Sequence, residues 1–425
     1  MYENTILDEL TYRGVPGVIV GVSLPDDIEF GDDPLQELGA LCDTAGIRVR
    51  SAVHQNRKDI DSTFYIGKGK ASEVAEVVKE TGAKLVVFDN ELKPNHQMNL
   101  EEVCGCAVID RTELILAIFA QHARTRQAKV QVDLARAQYA LPRLKNLWSH
   151  LERQRGGLGA VGGAGEKQIE IDRRILKKRI ARLQDELNEI VKRREIEVAR
   201  RNELFQVAIV GYTNAGKSTL MNALTQEGVL AEDKLFATLD TRTCIWKLPD
   251  HKVLLSDTVG FIRNLPHKLV ASFQATLEEV READLLLHIV DVSHPSIQEM
   301  IDAVDAVLKE IQAGHKRTLM IFNKLDRVLD RPMLAQLHDR YPTHVDISAL
   351  TGEGLDALRQ RVQEIVEERE TSLDWTFSAA NGKLLAYLKQ HGKILDVQYE
   401  ENEVHVRALL EPRFVQAATD MRDKR

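Results

Sequence analysis

Residues 205–218 read FQVAIVGYTNAGKS, and the chain continues from Ser218 as STLMNALT with helical spacing. An apolar run, then G-x-x-x-x-G-K-S, then a helix is the order in which a strand delivers a glycine turn to a helix N-terminus. There, backbone N–H groups collect an anion. Gly211 and Gly216 keep the turn free of side chains. The N–H groups of Asn214, Ala215, Gly216, Lys217 and Ser218 are placed to wrap phosphates, and Thr219 completes the set. Lys217 is positioned to bridge the β- and γ-phosphates, and the Ser218 hydroxyl to ligate Mg2+. Such a loop needs a sheet behind it, so this stretch assigns the chain to the α/β class. The pattern alone does not name the base.

The base is read further along. Asn323-Lys324-Leu325-Asp326 follows the strand-like TLMIF, and Ser348-Ala349-Leu350 follows HVDI. A carboxylate in the base plane, Asp326, accepts both N1–H and the exocyclic amine of guanine, whereas adenine offers no such donor pair. Sites of this kind discriminate by roughly 10⁴ or more. The Ser348-Ala349-Leu350 loop is expected to supply the N–H for guanine O6. Between the two regions, Asp257-Thr258-Val259-Gly260 ends KVLLS. Asp257 is placed to hold Mg2+ through water, and the Gly260 N–H to meet the γ-phosphate. Upstream, LFATLDTRT (235–243) offers Thr238 as the residue that closes over Mg2+ and the γ-phosphate, with Thr241 and Thr243 as rivals. Lys217, Thr238 and Gly260 are therefore the expected catalytic groups. Position 261 is phenylalanine where many GTPases place a water-orienting glutamine, so intrinsic hydrolysis should be slow and accelerated by a partner or an ion.

Six strand-like runs, LFQVAIV, CIWKL, KVLLS, LLLHIV, TLMIF and HVDI, alternate with helical stretches over 202–369 and define the GTPase domain. Residues 1–111 repeat the rhythm on a smaller scale, with GVIVGV, IRVRSAV and KLVVFDN separated by the helical runs PLQELGALCDTAG and KASEVAEVVKETGA and followed by CAVID, and read as a small parallel α/β subdomain. Over 112–201 the pattern is helical. Val130, Leu134, Ala137, Leu141, Leu144, Trp148 and Leu151 recur at alternating intervals of four and three, and Leu176, Ile180, Leu183, Leu187 and Ile190 resume the spacing. Two antiparallel helices zipped along one seam follow, the first kinked at Pro142. The tail, 370–425, reads helix, strand, strand, helix, a small α+β unit.

The hairpin is also where the charge lies. Between 121 and 201, twenty Lys and Arg face ten Asp and Glu; with a net charge of −8 for the chain, that surplus of ten leaves −18 elsewhere. A basic island in an acidic protein points one surface at a polyanion. Six of the ten positions from Gly156 to Gly165 are glycine. With no strand before them and no G-K-S after them, they form the tip of the hairpin rather than a nucleotide cradle. Arg153, Arg155, Lys167, Arg173, Arg174, Lys177 and Lys178 surround the tip, and with Gly157, Gly159, Gly163 and Gly165 they are candidate RNA contacts, since side-chain-free backbone fits a crowded RNA cavity. No apolar run reaches the ~18–20 residues that span a bilayer, and the N-terminus lacks a leader pattern. A monomeric cytoplasmic protein is expected, with peripheral attachment to a membrane left open. The four cysteines, at 42, 104, 106 and 244, make no C-x-x-C pair and are expected to be reduced and mostly buried.

The P-loop with Asn214, LFATLD (235–240), DTVGFIRNLPH (257–267), NKLD and SAL, together with FYIGKGKASEV (64–74) and GEKQIEIDRR (165–174), closely resembles the HflX family of GTPases over about residues 10–370. The chain departs from the family's usual Arg-Gly-Pro-Gly-Glu-Thr at the tip, where it has Gly162-Gly-Ala-Gly-Glu-Lys167, and from its usual Asp-Pro-Thr, where it has Asp240-Thr-Arg. The resemblance implies a GTP/GDP-dependent factor that binds the large (50S) ribosomal subunit and its rRNA and splits or rescues stalled ribosomes. In related GTPases lacking the glutamine, an asparagine oxygen at the position of Asn214 helps ligate K+. The rival reading is a regulatory G protein acting on a protein complex through its coiled-coil arm. An RNA-modifying GTPase is a third, with no catalytic constellation outside the GTPase domain to support it.

Overall fold

The computed structural model describes residues 12–25, 33–144, 164–199, 204–225, 235–236, 242–263, 274–328 and 331–423. The N-terminal unit runs β1 (Pro16–Ser23), α1 (Gln36–Ala45), β2 (Arg48–Asn56), α2 (Lys68–Thr81), β3 (Leu85–Phe88), α3 (Pro94–Cys104), β4 (Ala107–Asp110) and α4 (Arg111–His122). Its four strands form a parallel sheet in the order β2-β1-β3-β4, as the β-branched rhythm implies.

Two features differ from the sequence reading. Helix α3 was not anticipated, because the face it buries carries His96, Gln97 and Glu101 beside Leu100 and Cys104, which blurs the apolar period. Those polar side chains hold the neighbouring strand, Gln97 donating to the Val108 carbonyl at 2.7 Å and Glu101 accepting from the Val108 N–H at 3.3 Å. Pro94 in the first turn and Gly105 just past the end were the signal available. In addition, α4, which the sequence reading placed in the helical region beyond Arg111, buries Leu114 to Phe119 in a core shared with α1 and the sheet.

Helix α5 (Arg126–Ala140) is capped by Thr125, which accepts from the Ala128 N–H at 3.1 Å, and tightens into a 3-10 turn over Leu141–Arg143, where Pro142 removes a helical donor. Helix α6 (Ala164–Ala199) returns antiparallel: Ala137 and Leu144 meet Leu176, while Val130 and Leu134 meet Leu183 and Leu187. The seam is the one set by the four-and-three spacing. Gly165 lies inside the first turn of α6 rather than in the tip loop. Gly157, Gly159, Gly163, Arg153 and Arg155, with Trp148 and Leu151 of the seam, fall outside the described residues.

The GTPase domain contains all six expected strands: β5 (Phe205–Gly211), β6 (Arg242–Lys247), β7 (Lys252–Asp257), β8 (Leu285–Asp291), β9 (Thr318–Asn323) and β10 (His344–Asp346). They lie in the order β10-β9-β8-β5-β7-β6, parallel except for β6. Helices α7 (Lys217–Thr225), α8 (Gln274–Glu282), α9 (Ile297–Glu310), α10 (Arg331–Arg340) and α11 (Leu355–Glu367) complete it. The tail holds one strand more than expected. β11 (Thr371–Ser378) pairs with β13 (Glu403–Leu410), which pairs with β12 (Gly392–Glu400), and α12 (Gly382–His391) and α13 (Pro412–Asp423) complete the unit. The alternation of Leu373 and Phe377, which are buried, with exposed Asp374 and Ser378 was its trace in the sequence.

Candidate nucleotide-binding site

β5 ends at Gly211 in the middle of the sheet, and the loop to α7 turns above the strand ends, the place where open α/β sheets bind ligands. Close contacts, one with backbone and one with a buried side chain, explain both motif glycines. Gly211 (φ +154) lies against the Ile289 carbonyl of β8, and Gly216 (φ +99) against the Asn323 amide, so that a Cβ at either would collide. Asn323 is buried and works as a staple. Its Nδ2 donates to the Ala215 carbonyl at 2.8 Å and its Oδ1 accepts from the Ala349 N–H at 2.9 Å, joining three loops that are far apart in sequence.

Two expectations about the base-recognition loops are refined. Within the Ser348-Ala349-Leu350 loop, expected to supply the N–H for guanine O6, the Ala349 N–H is directed at Asn323, while Leu350 is 71% exposed. Asp326 is oriented by Ser348, whose hydroxyl donates to its Oδ1 at 2.6 Å. Lys324 (φ +69) pairs with Asp291 at 2.6 Å, an acidic partner at the end of β8 that the motif reading had not singled out.

On the phosphate side, the Ser218 hydroxyl donates to Asp257 Oδ2 at 2.9 Å. The two side chains expected to share Mg2+ are thus brought together by α7 and β7, and one hydroxyl and one carboxylate oxygen suit that hard cation. Thr219 follows, half-buried in the first turn of α7. Lys217 is buried, with its Nζ donating to the carbonyls of Gly211 at 3.1 Å and Tyr212 at 2.7 Å. Burial pushes its ammonium down to about 8, partly opposed by Asp257. The same burial, reinforced by Lys217, pushes His288 of β8 down to about 4; this histidine was invisible to motif reasoning. Asn214 is the exposed, left-handed (φ +62) residue of the loop.

The segment after Asp257 closes onto the P-loop. Thr258 donates to the Ile209 carbonyl at 2.6 Å, and Phe261 and the P-loop exchange bonds, Thr213 N–H to Phe261 O at 2.7 Å and Phe261 N–H to Gly211 O at 3.2 Å. A Cβ on Gly260 would lie 2.6 Å from the Thr213 methyl and 3.0 Å from Lys217 Nζ, so only glycine lets the segment approach this far. Phe261 is 2% exposed and packs into the apolar core with Tyr212, Phe236, Val259 and Ile262. Its ring serves as packing and cannot orient water. Thr238 and Thr241 lie outside the described residues. Thr243 is taken up in β6, its hydroxyl 3.1 Å from that of Ser256.

One cluster was missed altogether. Arg263 donates to Glu37 at 2.9 Å, to Asp89 at 2.8 Å and to the Pro34 carbonyl at 2.7 Å. Arg111 bonds Asp89 at 2.6 Å, Glu37, and the Arg263 carbonyl at 3.1 Å. The Tyr212 hydroxyl donates to Glu37 and accepts from the Arg263 N–H at 2.9 Å. Burial, with Glu37 close by, raises the Tyr212 phenol well above its ordinary value.

A phosphate loop stapled to an N-K-x-D loop, with a serine and an aspartate converging beside it, defines a P-loop GTPase. Family models agree in all three regions: "GTP-binding GTPase N-terminal" matches residues 32–120, "GTP-binding GTPase Middle Region" 122–201 and "50S ribosome-binding GTPase" 206–324. The chain is 44% identical over 371 residues to GTPase HflX of Magnetococcus marinus, covering 87% of this chain and 86% of that one. It is 45% identical over 355 residues to GTPase HflX of Escherichia coli, covering 83% of each. The chain belongs to the HflX GTPase family. Among solved structures, a GTP-binding protein from Sulfolobus solfataricus in complex with GDP matches with 26% identity and a TM-score of 0.44, over 83% of this chain and 98% of that one. Among the described residues no helix is long and apolar enough to cross a membrane.

Proposed function

We propose that this GTPase binds the large ribosomal subunit through the basic face of its helical hairpin and uses GTP to split stalled or idle ribosomes. The observation that carries the reading is on α6. Leu176, Leu183 and Leu187 are buried in the seam, while Arg173, Arg174, Lys177 and Lys178 are exposed on the flank and back of the helix. Arg126 and Arg179 are instead engaged across the hairpin with Glu186 at 2.7 Å and Asp133 at 3.8 Å. The exposed four form a surface for phosphates on a chain that elsewhere repels them. The description of the model matching 206–324 supports the same partner.

Ser218 and Asp257 would hold Mg2+, with Thr238 closing over it, and such an ion would supply positive charge against the phosphates. Asp326 reads guanine, Lys217 and the 214–218 amides hold the phosphates, and Gly260 senses the γ-phosphate. Co-sedimentation with isolated large subunits in the presence of a non-hydrolysable GTP analogue tests the assignment. Association that weakens steeply with salt, and further when the four basic residues become glutamine, is the expected result. Equal sedimentation of the charge-depleted variant would leave the arm a protein-binding coiled coil.

A further inference from the structure

Far from the phosphates, at the edge of the GTPase sheet, three chemically matched side chains meet. His344 and Asp346 are two residues apart on the edge strand β10 and so share one side of it; His338 reaches them from the last turn of α10. His338 Nε2 lies 3.0 Å from both carboxylate oxygens of Asp346. The two imidazoles stack with centroids 4.1 Å apart and planes 15° apart, and one donor atom from each of the three residues lies within 4.8 Å of the others.

We propose that His338, His344 and Asp346 form a binding site for a borderline divalent transition cation of the Zn2+ class. The donor set decides the class: two imidazoles and one carboxylate suit Zn2+, Co2+ or Ni2+, whereas Mg2+ takes oxygen ligands and keeps its waters. Outer support is in place. His344 Nδ1 lies 2.7 Å from the Tyr341 carbonyl, which can only accept, so this nitrogen carries the proton and the lone pair sits on Nε2. That carbonyl-held imidazole is the arrangement that fixes a ligating histidine. Phe322 of β9 adds a wall, its ring centroid 5.8 Å from that of His338 and 5.4 Å from that of His344.

Ligands of one tetrahedral zinc stand roughly 3.3 Å apart, given bonds of about 2.0–2.1 Å. The His338–Asp346 separation already meets this; because a metal lies in the plane of each imidazole it binds, the half-exposed His344 ring would tilt out of the stack to direct its Nε2 at the same point. Three protein ligands leave a fourth position for water. A bound ion ties α10 to the strand that runs through Ile347 into Ser348, and so braces the loop that orients Asp326.

The test uses the full chain, stripped with chelator and titrated with Zn2+ against a chromogenic competitor in excess Mg2+. The expected result is a Zn2+ stoichiometry that falls by one in His338→Gln and in His344→Gln, each with affinity at that site lowered at least ~100-fold. GDP affinity serves as the folding control, and Asp346→Asn supplies a third variant should either histidine change disturb the domain. A wild-type chain that fails to take up Zn2+ at micromolar concentration, or folded variants that retain the full stoichiometry, would overturn the site.

Discussion

Arg263 Nε donates to Glu37 Oε2 at 2.9 Å, across 226 residues of sequence. Arg263 lies three residues past Gly260, the glycine that sits against Lys217, and Glu37 is in the first turn of α1. Both side chains are nearly shielded from water, at 12% and 13% exposure. The segment proposed to meet the γ-phosphate is thereby held to the N-terminal unit, so movement of one is expected to be felt by the other. Truncating one partner of a desolvated pair leaves the other uncompensated, a cost of about 3–5 kcal/mol when burial is complete.

Hydrogen exchange over 257–263 is the direct readout. Arg263→Ala should lower the local opening free energy by about 2 kcal/mol, speeding exchange roughly 30-fold. Glu37→Gln should speed it too, and the double variant should add little to either single change. If Glu37→Gln leaves those amides as protected as before, the contact does not couple the two units.

The site was legible where chemistry is local. G-x-x-x-x-G-K-S, D-x-x-G, N-K-x-D and S-A-L each place a few residues on one strand end, and the β-branched runs gave the strands that carry them. What could not be read depends on long-range packing. Nothing near Glu37, Asp89 or Arg111 marks them as partners of Arg263, and His288 looks like one polar residue in a buried strand. Helix α3 was hidden for the opposite reason, because its polar residues face inward.

Guanine selectivity should rest on Asp326. Ser348 already fixes its orientation at 2.6 Å, so Asp326→Asn changes one acceptor into an amide without displacing the loop. GTP affinity should fall at least ~100-fold, as for a site whose buried polar groups lose their complement, while xanthosine triphosphate affinity rises. Unchanged GTP affinity would place the base elsewhere.

Hydrolysis should be faster in K+ than in Na+. Asn214 is exposed at the P-loop, and the ring of Phe261 supplies nothing to orient water. A monovalent cation on the Asn214 oxygen would add positive charge beside the phosphates in the transition state. Rates measured with ribosomes should differ several-fold between the two salts and converge in Asn214→Ala. Equal rates in wild type would remove the cation.

His288 makes the GTPase domain acid-sensitive. Its folded value, about 4, lies below the ordinary 6.5, so below pH 6.5 the unfolded chain binds a proton that the folded one refuses. Its neutral form is favoured throughout the range above pH 6.5, and stability is lost progressively as pH falls from 6.5 toward 4. By pH 5.5 the loss should be about 1 kcal/mol. Unfolding followed by the fluorescence of buried Trp246, with Trp148 and Trp375 replaced by phenylalanine, gives the measurement. His288→Leu should flatten the slope over this window, and an unchanged slope would assign the acid sensitivity to other groups.

The last prediction concerns the glycine tip, 156–165, whose central residues lie outside the described chain. The α5–α6 seam runs from Leu187 up to Leu176, next to the exposed Arg173, Arg174, Lys177 and Lys178, so the hairpin is a packed lever rather than a tether. The proposed ribosomal role gives such a tip a use, since backbone without side chains suits a crowded RNA cavity where amides can meet phosphates and 2′-hydroxyls. Removing residues 158–164 leaves the seam, the P-loop and the Arg263 cluster intact. Intrinsic GTP hydrolysis should therefore stay within about twofold of wild type, binding to the large subunit should weaken, and subunit separation on sucrose gradients should cease. A shortened protein that still splits ribosomes at the normal rate would show that the basic face of α6 suffices and that the glycines only turn the chain.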